Sequence, residues 1–334
     1  MSERVVGQLG FADREVFEAA GSNAMLERVV SLVDWSAVEA LLQPIHGGTM
    51  GAPAYPSLMM FKALLLQRWY ALSDLALEEA LKDRLSFRGF LGVGLGETLP
   101  DHSSLWRFRE ALGRELAQRV FGEIVRQIEG AGFVLKQGTL IDASLIAAAV
   151  NPPPKPREPL APDADGRPAS KLVKSALDGD AAWTKKNGVR HFGYKLHVAM
   201  DKGGRILRRF LFTPANINES AVADGLICGD EAAVHADKAY DSKARSEMLA
   251  GLGIENAIMR RGHPKKPLTR AEIARNKQLA KQRGAIEPIF NLFKNVHGLA
   301  RARYRSLARN ATAFALAAVV INLKRWAQSQ TVQA

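Results

Sequence analysis

Three acidic residues stand in three different local contexts. Asp142 lies in the apolar run TLIDASLIAAAV, Asp237 in AAVHADKAYDS, and Glu287 in KQRGAIEPIFNLFK. The first two runs predict short strands, and the third reads as an amphipathic helix. Two carboxylates at strand ends and one from a helix can converge on a pair of divalent cations, and such a site supports in-line displacement at phosphorus. The surroundings of Glu287 indicate whose phosphorus. Residues 260–305 hold 13 Lys/Arg against two acids, Glu272 and Glu287. This excess continues past any single helix, so the expected partner is a polyanion, with nucleic acid the foremost. Its phosphates would be held by salt-sensitive, sequence-independent contacts. The whole chain agrees, with a net charge of +12 and a pI of about 9.9.

The 334 residues, 47% of them hydrophobic, suffice for one large domain or two ordinary ones with real cores. Cys228 is the sole cysteine, which excludes an intrachain disulfide and a cysteine-based zinc cluster and suits a reducing compartment. The N-terminus lacks a charged start followed by an apolar stretch, so no signal peptide is read. The apolar run at 311–323 is too short to span a bilayer. It predicts a buried C-terminal helix ended by Lys324 and Arg325, which suit a helix C-terminus. The glycine turns DKGG, GLGIE and GVGLGE lack the Lys-Ser/Thr ending of a phosphate loop, which argues against a small-molecule kinase or phosphatase.

The elements that must position the acids divide near residue 130. Residues 15–130 read as helices: one over 58–72 introduced by Pro56 and Ser57, one or more from the Ser73-Asp74 cap to the glycines at 92–96, and one or two from Asp101 to Gly130. Arg68, Arg84, Arg88, Arg107 and Arg109 fall among them. They suit either a helix-turn-helix-like DNA reader or a plain bundle with solvated arginines. From residue 133 the pattern turns to strands. FVLKQGTLIDASLIAAAV is followed by a proline-rich loop at 151–168, then by the pair HFGYKLHVAMD and GRILRRFLFTPA around a glycine turn. A helix capped by Asn216 or Asn218, a strand ending at Asp237, a helix opened by Asp241, a strand IENAIMR and a long helix complete the order. The expectation is an α/β fold in which an all-helical domain precedes a mixed five-stranded sheet flanked by helices, the order of the RNase H-like fold.

Taken together these segments resemble a DDE-type transposase of the bacterial insertion-sequence-five group. The resemblance rests on LIDAS, on WTKKNGVRHFGYKLHVAMD, on TPANINES before HADKAYDS, on the spacing of Arg283, Glu287 and Lys294, and on GLARARYRSL. It also rests on two N-terminal stretches, GAPAYPSLMMFKALLLQRWYALSD and LPDHSSLWRFRE, and covers nearly the whole chain. The chain departs from the pattern at Ala280, where the wider family has tyrosine, and at Asn218-Glu219, where it often has His-Asp.

The resemblance implies a DNA transposase with Asp142, Asp237 and Glu287 as both catalytic and metal-binding residues. They would hold two Mg²⁺ ions about 3.5–4 Å apart, with Mn²⁺ able to substitute. Phosphodiesters at the element's ends would be hydrolysed, and the freed 3′-hydroxyl joined to target DNA by transesterification. It further implies a domain at 1–130 that recognises the terminal inverted repeats, a catalytic domain at 131–334, a homodimer or larger assembly on double-stranded DNA, and a bacterial cytoplasmic, nucleoid-associated setting. Two alternatives stand beside it: a metal-dependent endonuclease of the same fold that cuts without joining, and a decayed DNA-binding protein.

Several residues are expected to serve DNA. Arg283 (one turn before Glu287) and Lys294 (two turns after) share its helix face and can hold phosphates, or Arg283 can pair with Glu287. Arg301, Arg303 and Arg305 alternate, so an extended segment would put them on one face. Lys195, on the strand beside Asp142, is a further candidate contact, whereas His197 there reads as packing. Trp183 can stack on an unpaired base or pack in a core or lid. His102, Trp106 and Arg107, at the start of a helix, can read base edges.

Overall fold

The computed structural model describes residues 4, 6, 7, 9–19, 23–46, 53–151 and 178–330. The proline-rich 151–168 stretch, apart from Asn151, lies outside them. Seven helices come first: α1 (Phe11–Ala19), α2 (Ala24–Leu32), α3 (Trp35–Leu42), α4 (Ser57–Trp69), α5 (Asp74–Asp83), α6 (Leu85–Leu91) and α7 (His102–Gly130). Their starts follow local chemistry. The Ser73 hydroxyl caps α5 through Ala76 N–H, and the Asp101 carboxylate caps α7 through Ser104 N–H. Gly92 ends α6 in the left-handed conformation.

The second half contributes β1 (Thr139–Ala147), β2 (Ala182–Lys186), β3 (Val189–Asp201), β4 (Leu207–Pro214), α8 (Glu219–Val222), β5 (Ala233–Ala236), α9 (Lys243–Gly251), β6 (Glu255–Ile258), α10 (Arg270–Arg283), α11 (Glu287–Asn291) and α12 (Leu307–Ser329). The sheet order is β2-β3-β1-β5-β6, with β4 also on β3. β1 is antiparallel to β3 and parallel to β5, and β5 is parallel to β6. This mixed sheet behind a helical N-terminal region has the RNase H-like arrangement.

It has six strands, one more than the five expected. The extra strand is β2, which forms a hairpin with β3 around Asn187-Gly188, both at positive φ. Asn-Gly is a strong signal for such a turn. β2 and β4 share one edge of β3, on either side of Gly193. A Cβ at Gly193 would stand 2.2 Å from the Ile146 carbonyl oxygen, so only glycine lets β1 and β3 close there. The expected first strand is shorter at its start. The Asp201 carboxylate accepts from Leu135 and Lys136 N–H and turns 133–138 into a loop.

Helices cover both faces of the sheet. On one face, Leu140, Ile146, Leu196 and Val198 join a core that runs through α12 into α7 and α4. On the other, Ile141 and Ala199 meet Leu226, Tyr240 and Leu249. Among the described residues α12 is the one helix long and apolar enough to cross a membrane, yet 78% of its apolar window is buried within the protein. It is the central core helix, apolar all round because neighbours surround it. It continues past Lys324 and Arg325, its expected end, to Ser329.

Two other expectations change. The helix after β4 shrinks to the four residues of α8 plus a 3₁₀ turn at Ala223–Leu226, with Asn218 as its cap. Asp241 does not cap α9, which follows Ser242; its carboxylate accepts from Arg260 Nη1 and Arg261 N–H instead.

Candidate active site

The parallel register of β1 and β5 ends at Leu140↔His235. Two residues further along each strand stand Asp142 and Asp237, so the first two acids are neighbours where β5 stops. Asp237 leaves the sheet and caps a 3₁₀ turn (Lys238–Tyr240) through Ala239 N–H, at 2.5 Å. Asp142 is largely enclosed. Burial raises its carboxyl above the ordinary range and the nearby Glu219 charge adds to this, while the Ala143 N–H and Arg283 oppose it.

The third acid arrives by a broken helix. Pro288 has no N–H to return to the Gly284 carbonyl, so the expected single helix divides. It becomes α10, a 3₁₀ turn at Gly284–Ile286, α11, and a π-helical turn at Leu292–Val296. Glu287 opens α11 with its side chain 69% exposed. Arg283 links it to the sheet: Nη1 donates to Asp142 Oδ2 at 2.6 Å, and Nη2 lies 3.8 Å from Glu287 Oε1. The guanidinium therefore sits between the first and third acids. Lys294 lies within the π turn, so the α-helical spacing that would put it on Glu287's face does not apply; it lines a cleft instead.

That cleft, about 680 Å³, opens at the end of β1 and the β2–β3 hairpin. Lys186, Arg190, Lys294 and Arg301 make it basic, and Trp183 lines it, 46% exposed and 5.4 Å from the Phe192 ring. The segment at Arg301 runs beside β1, where Ala302 N–H donates to the Ala147 carbonyl at 2.8 Å. Arg301, Arg303 and Arg305 are exposed and Ala302 is buried, but the expected extended segment is confined to Arg301 and Ala302: the chain bends from Arg303 on, and Arg301 donates to the Ala148 carbonyl at 2.9 Å.

Lys195 departs from its expected role. It is 7% exposed, its ammonium donates to the Ile217 carbonyl at 2.8 Å, and it lies 3.5 Å from Glu219. Its charge is used inside the protein, not on a DNA strand. His197 is packed as expected, against the Thr213 hydroxyl. In the helical region His102 pairs with Glu78, while Trp106 and Arg107 are exposed at the start of α7. The other four arginines expected to serve either DNA or solvent divide: two are internal, while Arg84 is exposed and Arg88 half-buried. Arg68 and Arg109 are buried, Arg84 lies over the Tyr70 and Phe87 rings, and Arg88 donates to the Gly94 carbonyl.

Two residues near the acids had little signal in the sequence. Glu219 seemed only a departure from the family pattern, and Tyr240 only a strand-end aromatic. The Tyr240 hydroxyl is fully buried, in the field of Glu219, Asp142 and Asp237, and its proton is held more tightly than usual, first by burial and then by those carboxylates. Asp142, Asp237 and Glu287 do not bring their ligand atoms within 4.8 Å of one another; among the described residues, the group of at least three potential ligands that does is Cys228, Asp230 and Glu231. Its acids are already satisfied. Glu231 accepts three backbone N–H groups, and Asp230 pairs with Arg208 and Lys136.

Comparison with known families agrees with this geometry. A family model described as a transposase domain (DUF772) matches residues 15–111. A second, the transposase DDE domain, matches residues 135–323 and so spans the sheet, all three acids and most of α12. No solved structure matches the chain. With more than half of its length matched, and the acids in or just past neighbouring strands and on a following helix, the chain belongs to the transposase DDE domain family.

Proposed function

We propose that this transposase cuts phosphodiesters at the ends of an insertion sequence of the insertion-sequence-five group and joins the freed 3′-hydroxyl to target DNA. Asp142, Asp237 and Glu287 are its catalytic carboxylates. The observation that carries the reading is the register at the end of β5: Asp142 on β1 and Asp237, one residue past β5, both follow the Leu140↔His235 pair by two residues, and Arg283 connects Asp142 to the helix bearing Glu287.

The donor set fits magnesium. All three residues offer carboxylate oxygens, the hard ligands Mg²⁺ prefers. The buried Tyr240 hydroxyl has no hydrogen-bond partner among the described residues, and the enclosed Asp142 carboxylate lacks enough cationic charge to offset its burial. Two Mg²⁺ ions held by the three acids would supply positive charge for the attacking and leaving oxygens. The protein's own groups orient the strand. Arg301, Arg303 and Arg305 bind backbone phosphates, Lys294 and Lys186 line its path, and Trp183 stacks on a base beside the cleft. Arg283 holds Asp142 in place and meets the scissile phosphate.

Residues 1–130 recognise the terminal inverted repeats, with Arg107 on the exposed start of α7 as a contact, and 131–334 form the catalytic domain. Two ends must meet, so the active form is a homodimer or larger assembly on DNA, at the nucleoid of a bacterial cytoplasm.

The test is cleavage and joining of labelled end DNA with Mg²⁺, parent against Asp237→Asn. Asparagine keeps the shape and removes the charge. Metal-dependent cutting and joining that disappears in the variant while DNA binding persists is the expected result; unchanged activity would sink the assignment of Asp237. Pre-cut 3′-hydroxyl ends separate the readings further, since an endonuclease without strand transfer leaves them unjoined.

A further inference from the structure

We infer that the divalent-cation site includes a fourth carboxylate, Glu219, and that the Tyr240 hydroxyl serves the same shell as a hydrogen-bond donor. This rests on the metal-site reading above and extends it to residues outside the triad.

The first observation is how firmly Glu219 is held. It opens α8, only four residues long and too short to stand alone. One buried guanidinium fastens it. Arg245 donates to the Ser220 carbonyl (2.6 Å) and hydroxyl (3.1 Å), to Asp224 Oδ1 (2.6 Å), and to the Tyr240 carbonyl (2.5 Å). The same side chain thus ties the turn bearing Glu219 to the turn bearing Asp237 and Tyr240. Such bracing is what orients ligands around an ion.

The second is what Glu219 lacks. Its partner among the described residues, Lys195, stands at 3.5 Å, beyond ordinary hydrogen-bond length, and already donates to Ile217 at 2.8 Å. A plain counter-ion pair would close that distance. Meanwhile Glu219 adds negative charge to a place where Asp142 is already enclosed, and like charges there repel unless a cation lies between them.

The third is the Tyr240 hydroxyl. It is fully buried and has no hydrogen-bond partner among the described residues. The charges acting on it are those of Glu219, Asp142 and Asp237, with Glu219 foremost, opposed by Arg245. A buried hydroxyl normally finds a partner. This one belongs to the turn that Asp237 caps, and from there it can donate to a carboxylate oxygen, or to a water, of an ion shell.

The experiment is Mn²⁺ binding to the full chain without DNA, followed by electron paramagnetic resonance of the free ion. Parent, Glu219→Gln, Tyr240→Phe and Asp142→Asn are compared. Glu219→Gln is expected to weaken Mn²⁺ binding by roughly 10–100-fold, and Tyr240→Phe by several-fold. Parental affinity in Glu219→Gln, alongside lost binding in Asp142→Asn, overturns the proposal and reduces Glu219 to a countercharge for Lys195. Parental affinity in Asp142→Asn strikes the triad reading instead. If Glu219→Gln loses its native circular dichroism, Tyr240→Phe decides: weakened binding supports the shared shell and parental affinity overturns it.

Discussion

The helical region and the basic segment at 260–305 both contain many arginines and use some of them in opposite ways. In the helical region Arg68 and Arg109 are 2% and 4% exposed. Arg109 donates to Gln67 Oε1 at 3.0 Å and pairs with Asp74, so a guanidinium joins α4, α5 and α7. In the basic segment Arg301, Arg303 and Arg305 are exposed on a chain that bends from Arg303 on. Arginine suits both duties, because its planar fork satisfies several acceptors at once and its charge persists when buried. The lesson is that a count of basic residues measures potential for DNA binding only after burial has been subtracted. By that standard exposed charge remains in both regions, around the sheet's active end and at Arg84, Arg107, Arg114, Arg119 and Arg126 of the helices, and the contrast lies in the buried pair Arg68 and Arg109.

The sharpest way to break this contrast is Asp74→Ala. It strands the buried Arg109 charge and should cost about 3–5 kcal/mol, read as a lower urea midpoint. If stability is unchanged, Arg109 is not a structural residue and the two regions do not differ as described.

A weaker effect follows from three buried histidines in the sheet and C-terminal half, His197, His235 and His297. Each is held down at about 4, chiefly because burial penalises the charged ring. The unfolded chain takes up these protons first, near pH 6.5. The stability from the neutral rings is therefore complete above that pH and is lost as pH falls towards 4, at up to about 1.4 kcal/mol per pH unit for each histidine. Thermal melts from pH 7 to 4 should show this decline, and a flat profile would mean that the rings are hydrated.

The smallest stability change belongs to the exposed face. Alanine at Arg301, Arg303 and Arg305 together should alter stability by no more than about 0.5 kcal/mol per site. It should nevertheless reduce the slope of log affinity against log salt by up to about 2.7, at roughly 0.9 per lost phosphate contact. A filter-binding series across salt concentrations would measure this. An unchanged slope would remove these arginines from the DNA path.

Local chemistry made much of the fold legible. Caps at Ser73, Asp101 and Asn218, the apolar α12, and the order of strands and helices after residue 133 could be read directly, because each depends on neighbours within a few residues. β2 also had a local signal, Asn187-Gly188, whose weight was underestimated. The division of the helix around Glu287 was written in Pro288, and the amphipathic pattern concealed it. Arg301, Arg303 and Arg305 are exposed, but not through the period of two of an extended chain, since the backbone bends from Arg303 on.

The sequence by itself determined the types and spacing of the acids and the family they point to; of the two acids expected at strand ends only Asp237 stands at one, since Asp142 lies inside β1. Tertiary structure alone decided which charges are available. Lys195 is turned inward, Arg283 is set between Asp142 and Glu287, Arg68 and Arg109 are buried, and the turn that bears Glu219 is held by Arg245 through Ser220. The physical reason is distance along the chain. A hairpin turn or a helix cap involves residues a few positions apart, whereas the Arg283–Asp142 pair joins positions 141 residues apart. Packing alone creates such contacts and, with them, the local field that sets what each charge can do.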